Sequence, residues 1–79
     1  MDSDNLIHMA NRIGTFFEAM PDRPEALEGI ATHLKKFWDP RMRRQFIALI
    51  DAGGSGASDI VVQAVQSHRQ MLMPAPAPA

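Results

Sequence analysis

The stretch Asp22-Arg23-Pro24-Glu25-Ala26-Leu27-Glu28-Gly29-Ile30-Ala31-Thr32-His33-Leu34-Lys35-Lys36-Phe37-Trp38-Asp39-Pro40 decides the fold. Asp22 can cap a helix, Glu25 can close a capping box, and Pro24 lies in the first turn, where its missing N–H is harmless. At 100° per residue Leu27, Ile30, Ala31, Leu34, Phe37 and Trp38 fall in an arc of about 120°, with Glu28, Thr32, Lys35 and Lys36 on the other side. This predicts an amphipathic helix over 23–38. Asp39-Pro40 then repeats the start signal, a cap followed by proline at the first helical position.

Upstream, Leu6, Met9, Ala10, Ile13, Phe16, Phe17 and Met20 follow the i, i+3, i+4, i+7 pattern of one helical face and predict a helix over 5–20. Asp4 or Asn5 can cap it, and Pro21 stops it. Gly14 inside it costs about 1 kcal/mol of propensity against alanine, which suggests close approach of another backbone or simply tolerated slack. Downstream, a third helix over 40–52 turns Met42, Phe46, Leu49 and Ile50 inward and breaks at Gly53-Gly54-Ser55-Gly56. Ser58-Asp59 restarts a fourth over 59–72, with Ile60, Val61, Ala64, Val65, Met71 and Leu72 inward. Its β-branched opening also permits a strand, but the run from Ala64 to Arg69 has helical character. Pro74 to Ala79 alternates proline and alanine, favours polyproline II and is expected to be disordered. The expected fold is all-α, a small three- or four-helix bundle over 1–73 with a Pro-Ala tail over 74–79.

A hydrophobic fraction of 46% with 22% charged residues fits a packed core rather than disorder. At 79 residues that core is small, because a chain this short buries only roughly 60% of its unfolded surface. Absence of cysteine removes disulfides, thiolate metal ligands and thiol nucleophiles together. No signal-peptide pattern surrounds Asp2 and Asp4, and apolar runs fall far short of the roughly 20 residues of a membrane span, so the expected location is cytoplasmic. The net charge of −1 conceals an asymmetry: residues 1–34 carry six acids and two bases, whereas residues 35–50 carry five bases and one acid. Such a local field suits an acidic partner surface or a phosphate backbone.

Chemistry is hard to find. His33 and His68 lack a second ligand at helical metal-site spacing, His8 has only Asp4 four residues before it, and no nucleophile pairs with a base, so no catalytic, cofactor-binding or metal residue is assigned. The Gly53–Gly56 run lacks the strand and lysine of a P-loop and reads as a helix terminator. Lys35, Lys36, Arg41, Arg43 and Arg44 flank Phe37-Trp38-Asp39-Pro40, a basic corner between two helices. One reading is that the lysines neutralise a helix C-terminus while the arginines are solvated. Another is protein docking, since arginine with tryptophan and methionine is the composition of interface hot spots. Nucleic acid fits less well, because there is neither a broad basic face nor a basic total charge. On the docking reading the partner-binding residues are His33, Phe37, Trp38, Arg41, Arg43 and Arg44. Should the arginines prove merely solvated, the exposed side of the first helix is the next place to look.

The residues Met9-Ala10-Asn11-Arg12-Ile13-Gly14, Phe16-Phe17, Met20-Pro21-Asp22-Arg23, Gly29-Ile30-Ala31-Thr32-His33-Leu34 and Phe37-Trp38-Asp39-Pro40-Arg41-Met42-Arg43 carry a family resemblance. Over roughly residues 5–66 the chain resembles the delta subunit of molybdenum-containing, NAD-dependent formate dehydrogenases. The resemblance implies a non-catalytic accessory subunit of a cytoplasmic bacterial complex that oxidises formate to carbon dioxide and reduces NAD. It also implies that the molybdenum pterin cofactor, the iron–sulfur clusters, the flavin and the NAD site belong to other subunits. The implied partner is the catalytic (alpha) subunit, which this chain would stabilise or help assemble. Alternatives of other classes are a helical nucleic-acid binder, a self-associating regulator and, least favoured, an enzyme.

Overall fold

The computed structural model describes residues 2–74, and among these there is no strand. Five helices follow one another: α1 (Ser3–Glu18), α2 (Arg23–Phe37), α3 (Pro40–Asp51), α4 (Asp59–Ser67) and α5 (Arg69–Leu72). The expected disorder of the Pro-Ala tail concerns residues that, from 75 on, lie outside the described ones.

The signals at Asp22, Asp39 and the glycine run act as their chemistry dictates, while Ser58 precedes α4 without a side-chain cap bond. The Asp22 carboxylate accepts from the Glu25 N–H at 3.3 Å, and that of Asp39 accepts from the Met42 N–H at 2.9 Å. Each satisfies an N–H that the helix cannot. At the end of α3 the Gly53 N–H donates to Ile50 O and the Gly54 N–H to Leu49 O, a Schellman closure with both glycines at positive φ. The first helix departs from expectation. It begins at Ser3 rather than residue 5, with Asp2 at the cap position making no side-chain bond, and it ends at Glu18.

Helix α4 touches all the others and carries the centre of the core. Its Ile60, Val61, Ala64 and Val65 are buried against Leu6 and Ala10 of α1, Ile30 and Leu34 of α2 and Phe46 of α3. Gly14 is where α1 crosses it. A Cβ there would stand 2.7 Å from Val61 Cγ2 and 3.1 Å from Ile60 Cγ2, so the missing side chain is what lets the helices meet. Asn11, one turn earlier, pins the glycine loop beside that crossing. Its Nδ2 donates to Gly56 O and its Oδ1 accepts from the Ser58 N–H, both at 2.8 Å.

The single fourth helix expected over 59–72 is interrupted. His68 leaves helical geometry at φ −120°, ψ 31°, and a one-turn helix α5 follows in a new direction. Tertiary contacts explain the bend. Leu72 reaches the core, 2% exposed, at a crevice walled by Leu34, Trp38, Phe46 and Ile47. Arg69 also meets the Asp51 carboxylate through two bonds of 2.6 and 2.7 Å.

Candidate partner-binding surface

The basic corner is divided between inside and outside. Lys35 Nζ donates to Met71 O at 3.2 Å and Arg43 Nη1 to Leu72 O at 3.4 Å, so two of its five cations hold the end of α5. Arg43 crosses the apolar crevice to do so, and its Nε is buried without a partner. Trp38 is 5% exposed and packs edge-on against Phe46, with ring centroids 5.4 Å apart. Trp38 is therefore a core residue and Arg43 a brace, and neither is displayed as a docking side chain. The physical reason is the return of α5, which covers this end of α2 and α3. Arg41 and Arg44 are exposed, as is Lys36, and none of the three makes an ion pair or hydrogen bond among the described residues. Both arginines stand near the start of α3, whose first turn holds no acid, and there positive charge opposes the helix dipole.

His33 and Phe37 belong to a different feature, an aromatic seam across α1 and α2. The ring of Phe16 stands edge-on to Phe17 at 5.1 Å, Phe17 to His33 at 6.5 Å, and His33 tilts against Phe37 at 4.7 Å. Phe16 is 74% exposed and Phe37 71%, although the apolar pattern placed both inward. The buried stripe of α1 is narrow, consisting of Leu6, Ala10 and Gly14. Phe16 lies about 160° round the helix from Gly14 and cannot share that stripe. Phe37 likewise sits at the end of α2 beyond the cover of α4. Displayed phenylalanines of this size are uncommon without a partner to cover them.

The seam has a seat that its residue types alone did not disclose. Gly29 lies under Phe17, and a Cβ on it would stand 2.7 Å from Phe17 Cδ1 and closer still to Cε1. Shallow hollows lie on either side of the Phe17–His33 contact. One is walled by Arg12, Ile13, Phe16, Phe17 and His33, and the other runs along α2 from Glu25 and Glu28 to Lys36 and Phe37. The sequence signal available for the seam was the pair Phe16-Phe17 itself: adjacent residues point about 100° apart, so a narrow stripe buries only one.

One ion pair away from the seam shifts both of its members. The Arg69 guanidinium, through its hydrogen bonds first and its charge second, holds the Asp51 carboxyl below its ordinary value, and Asp51 in turn raises Arg69. Among the described residues no group of three or more His, Cys, Asp or Glu side chains is placed to hold a metal ion. Among the same residues no helix is long and apolar enough to cross a membrane.

Among the described residues α1 and α2 display aromatic rings, and several cations, Lys36, Arg41 and Arg44 among them, have no partner. The family model for the NADH-dependent formate dehydrogenase delta subunit, FdsD, matches residues 5–65, from the start of α1 into α4, and the chain belongs to that family. The match contains the whole aromatic seam and the basic corner and stops short of His68 and α5. Comparison with curated proteins and with solved structures returns no match.

Proposed function

We propose that this chain is a non-catalytic accessory subunit that binds the catalytic (alpha) subunit of a cytoplasmic NAD-dependent formate dehydrogenase and stabilises it or helps it assemble. The observation that carries the reading is the aromatic seam, Phe16, Phe17, His33 and Phe37, displayed within the region that matches the delta-subunit family. Two largely exposed phenylalanines on a small bundle gain most from a partner that removes them from water. Arg41 and Arg44 extend the same reading to an acidic contact beside the seam. The molybdenum pterin, iron–sulfur, flavin and NAD sites are assigned to other subunits, and a chain without cysteine has no thiolates for a cluster.

The test is co-expression of the catalytic subunit with and without this chain. The expected result is co-elution in gel filtration, with a higher yield or a higher melting temperature of the catalytic subunit when the chain is present. Separate elution and unchanged yield would exclude the role.

A further inference from the structure

We infer that the hollow walled by Arg12, Ile13, Phe16, Phe17 and His33 receives an apolar side chain of the catalytic subunit that stands next to a carboxylate, with the carboxylate pairing to Arg12. The inference rests on the accessory-subunit reading and deepens it by stating the chemistry of the contact.

Three observations converge on this occupant. Phe16, Phe17 and Ile13 make the hollow's wall mainly apolar, and Phe16 offers nearly its whole ring to whatever enters. Arg12 is the only acidic or basic side chain other than His33 in that wall, and it has no partner among the described residues. A guanidinium at the rim of an apolar hollow is matched by a carboxylate, which it can bind through two parallel hydrogen bonds. A phosphate backbone would need a run of cations, and the hollow supplies one. Finally, the far wall is held in place deliberately. Gly29 removes the Cβ on which Phe17 would ride, so the ring lies low against α2 and the hollow stays open between Phe16 and His33. Gly29 itself lines the neighbouring hollow, and it acts on this one only through the place it leaves for the Phe17 ring.

The experiment is a titration of the purified catalytic subunit with the full chain and with Phe16→Ala, Arg12→Glu and Gly29→Ala, at low and high salt, alongside melting curves and the mass of the free chain. Both Phe16 and Arg12 are exposed, so their variants should melt as the wild type does. Phe16→Ala should weaken binding by roughly thirtyfold, as loss of an interface anchor does. Arg12→Glu should weaken it by roughly tenfold or more and flatten its salt dependence. Gly29→Ala should weaken it without lowering the melt. If the wild type binds and all three variants bind equally well, the hollow is not the contact, while the accessory reading survives. If the wild type fails to bind the catalytic subunit, that reading falls and takes this inference with it. If instead the free chain is a dimer that Phe16→Ala dissociates, with no change in binding to the catalytic subunit, the occupant is a second copy and the inference is overturned.

Discussion

Replacing Gly29 and Gly14 by alanine, one at a time, should separate a glycine that serves a surface from one that serves the core. Both are helical, and in both cases alanine gains about 0.8 to 1.0 kcal/mol of helix propensity. Both new methyl groups also collide, with nearest distances of 2.7 Å to Val61 Cγ2 at Gly14 and 2.7 Å to Phe17 Cδ1 at Gly29, where the ring comes closer still. What differs is the neighbour's freedom. Val61 is 0% exposed and Ile60 1%, and both are β-branched residues locked in one helical rotamer, so α1 itself must move away from α4. Overpacking of that kind costs about 1 to 3 kcal/mol, leaving Gly14→Ala destabilised on balance by up to about 2 kcal/mol.

Phe17 is only half-buried, and its ring can swing outward by the roughly 1 Å that ordinary carbon contact requires of its closest atom, Cε1. The strain of doing so, about 0.5 to 1.5 kcal/mol, nearly cancels the propensity gain. Gly29→Ala should therefore unfold within about 1 kcal/mol of the wild type while presenting a misplaced ring. Urea denaturation gives the stabilities and titration against the catalytic subunit gives the affinities. A Gly29→Ala chain as destabilised as Gly14→Ala, or one that keeps wild-type affinity, would refute the assignment of Gly29 to the seam.

Trp38→Ala should lower stability by about 3 to 5 kcal/mol, because it empties a core position against Phe46, and a thermal melt measures this directly. Arg41→Ala and Arg44→Ala should melt within about 0.5 kcal/mol of the wild type; a pull-down of the catalytic subunit then reports whether either guanidinium is an anchor. Asn11→Ala removes two 2.8 Å bonds to the loop before α4 and should cost about 1 to 3 kcal/mol, seen as a lower urea midpoint. Arg69 depresses the Asp51 carboxyl in the fold, so the pair stabilises fully above the ordinary carboxylate range and its contribution disappears as pH falls through the lowered value. Asp51→Asn should therefore melt lower near neutrality and show a shallower acid limb in melting curves recorded from pH 7 to pH 2.

Local signals proved readable because their physics is local. The caps at Asp22 and Asp39, the prolines behind them and the glycine stop after α3 each act within one turn, and each operates where its residue stands. Even the close approach at Gly14 could be suspected from an awkward residue inside a good helix. What escaped was set by partners distant in the chain. Nothing at His68 resembles a breaker; the bend there arises because Leu72 is drawn under Trp38 and Arg69 to Asp51. Asn11 reads as one more polar residue until Gly56 and Ser58 fold back onto it. The basic corner divides for the same reason, since only the position of α5 gives Lys35 and Arg43 main-chain carbonyls to hold. Phe16 and Phe37 belong to their helices' apolar arcs by count, and only the width of the covered stripe tells that both are left outside.

The grip of Lys35 and Arg43 on α5 falls on main-chain carbonyls, those of Met71 and Leu72, rather than on side chains. Every residue type presents the same carbonyl. The clasp itself is thus indifferent to spelling, and sequence matters in this segment where side chains pack, at Met71 and Leu72, rather than where the carbonyls are held. The family match ends at residue 65, before this segment begins, while both clasping cations lie inside it. The main chain of α5 is thereby tied to α2 and α3 by cations that the family match includes, although α5 itself lies beyond it.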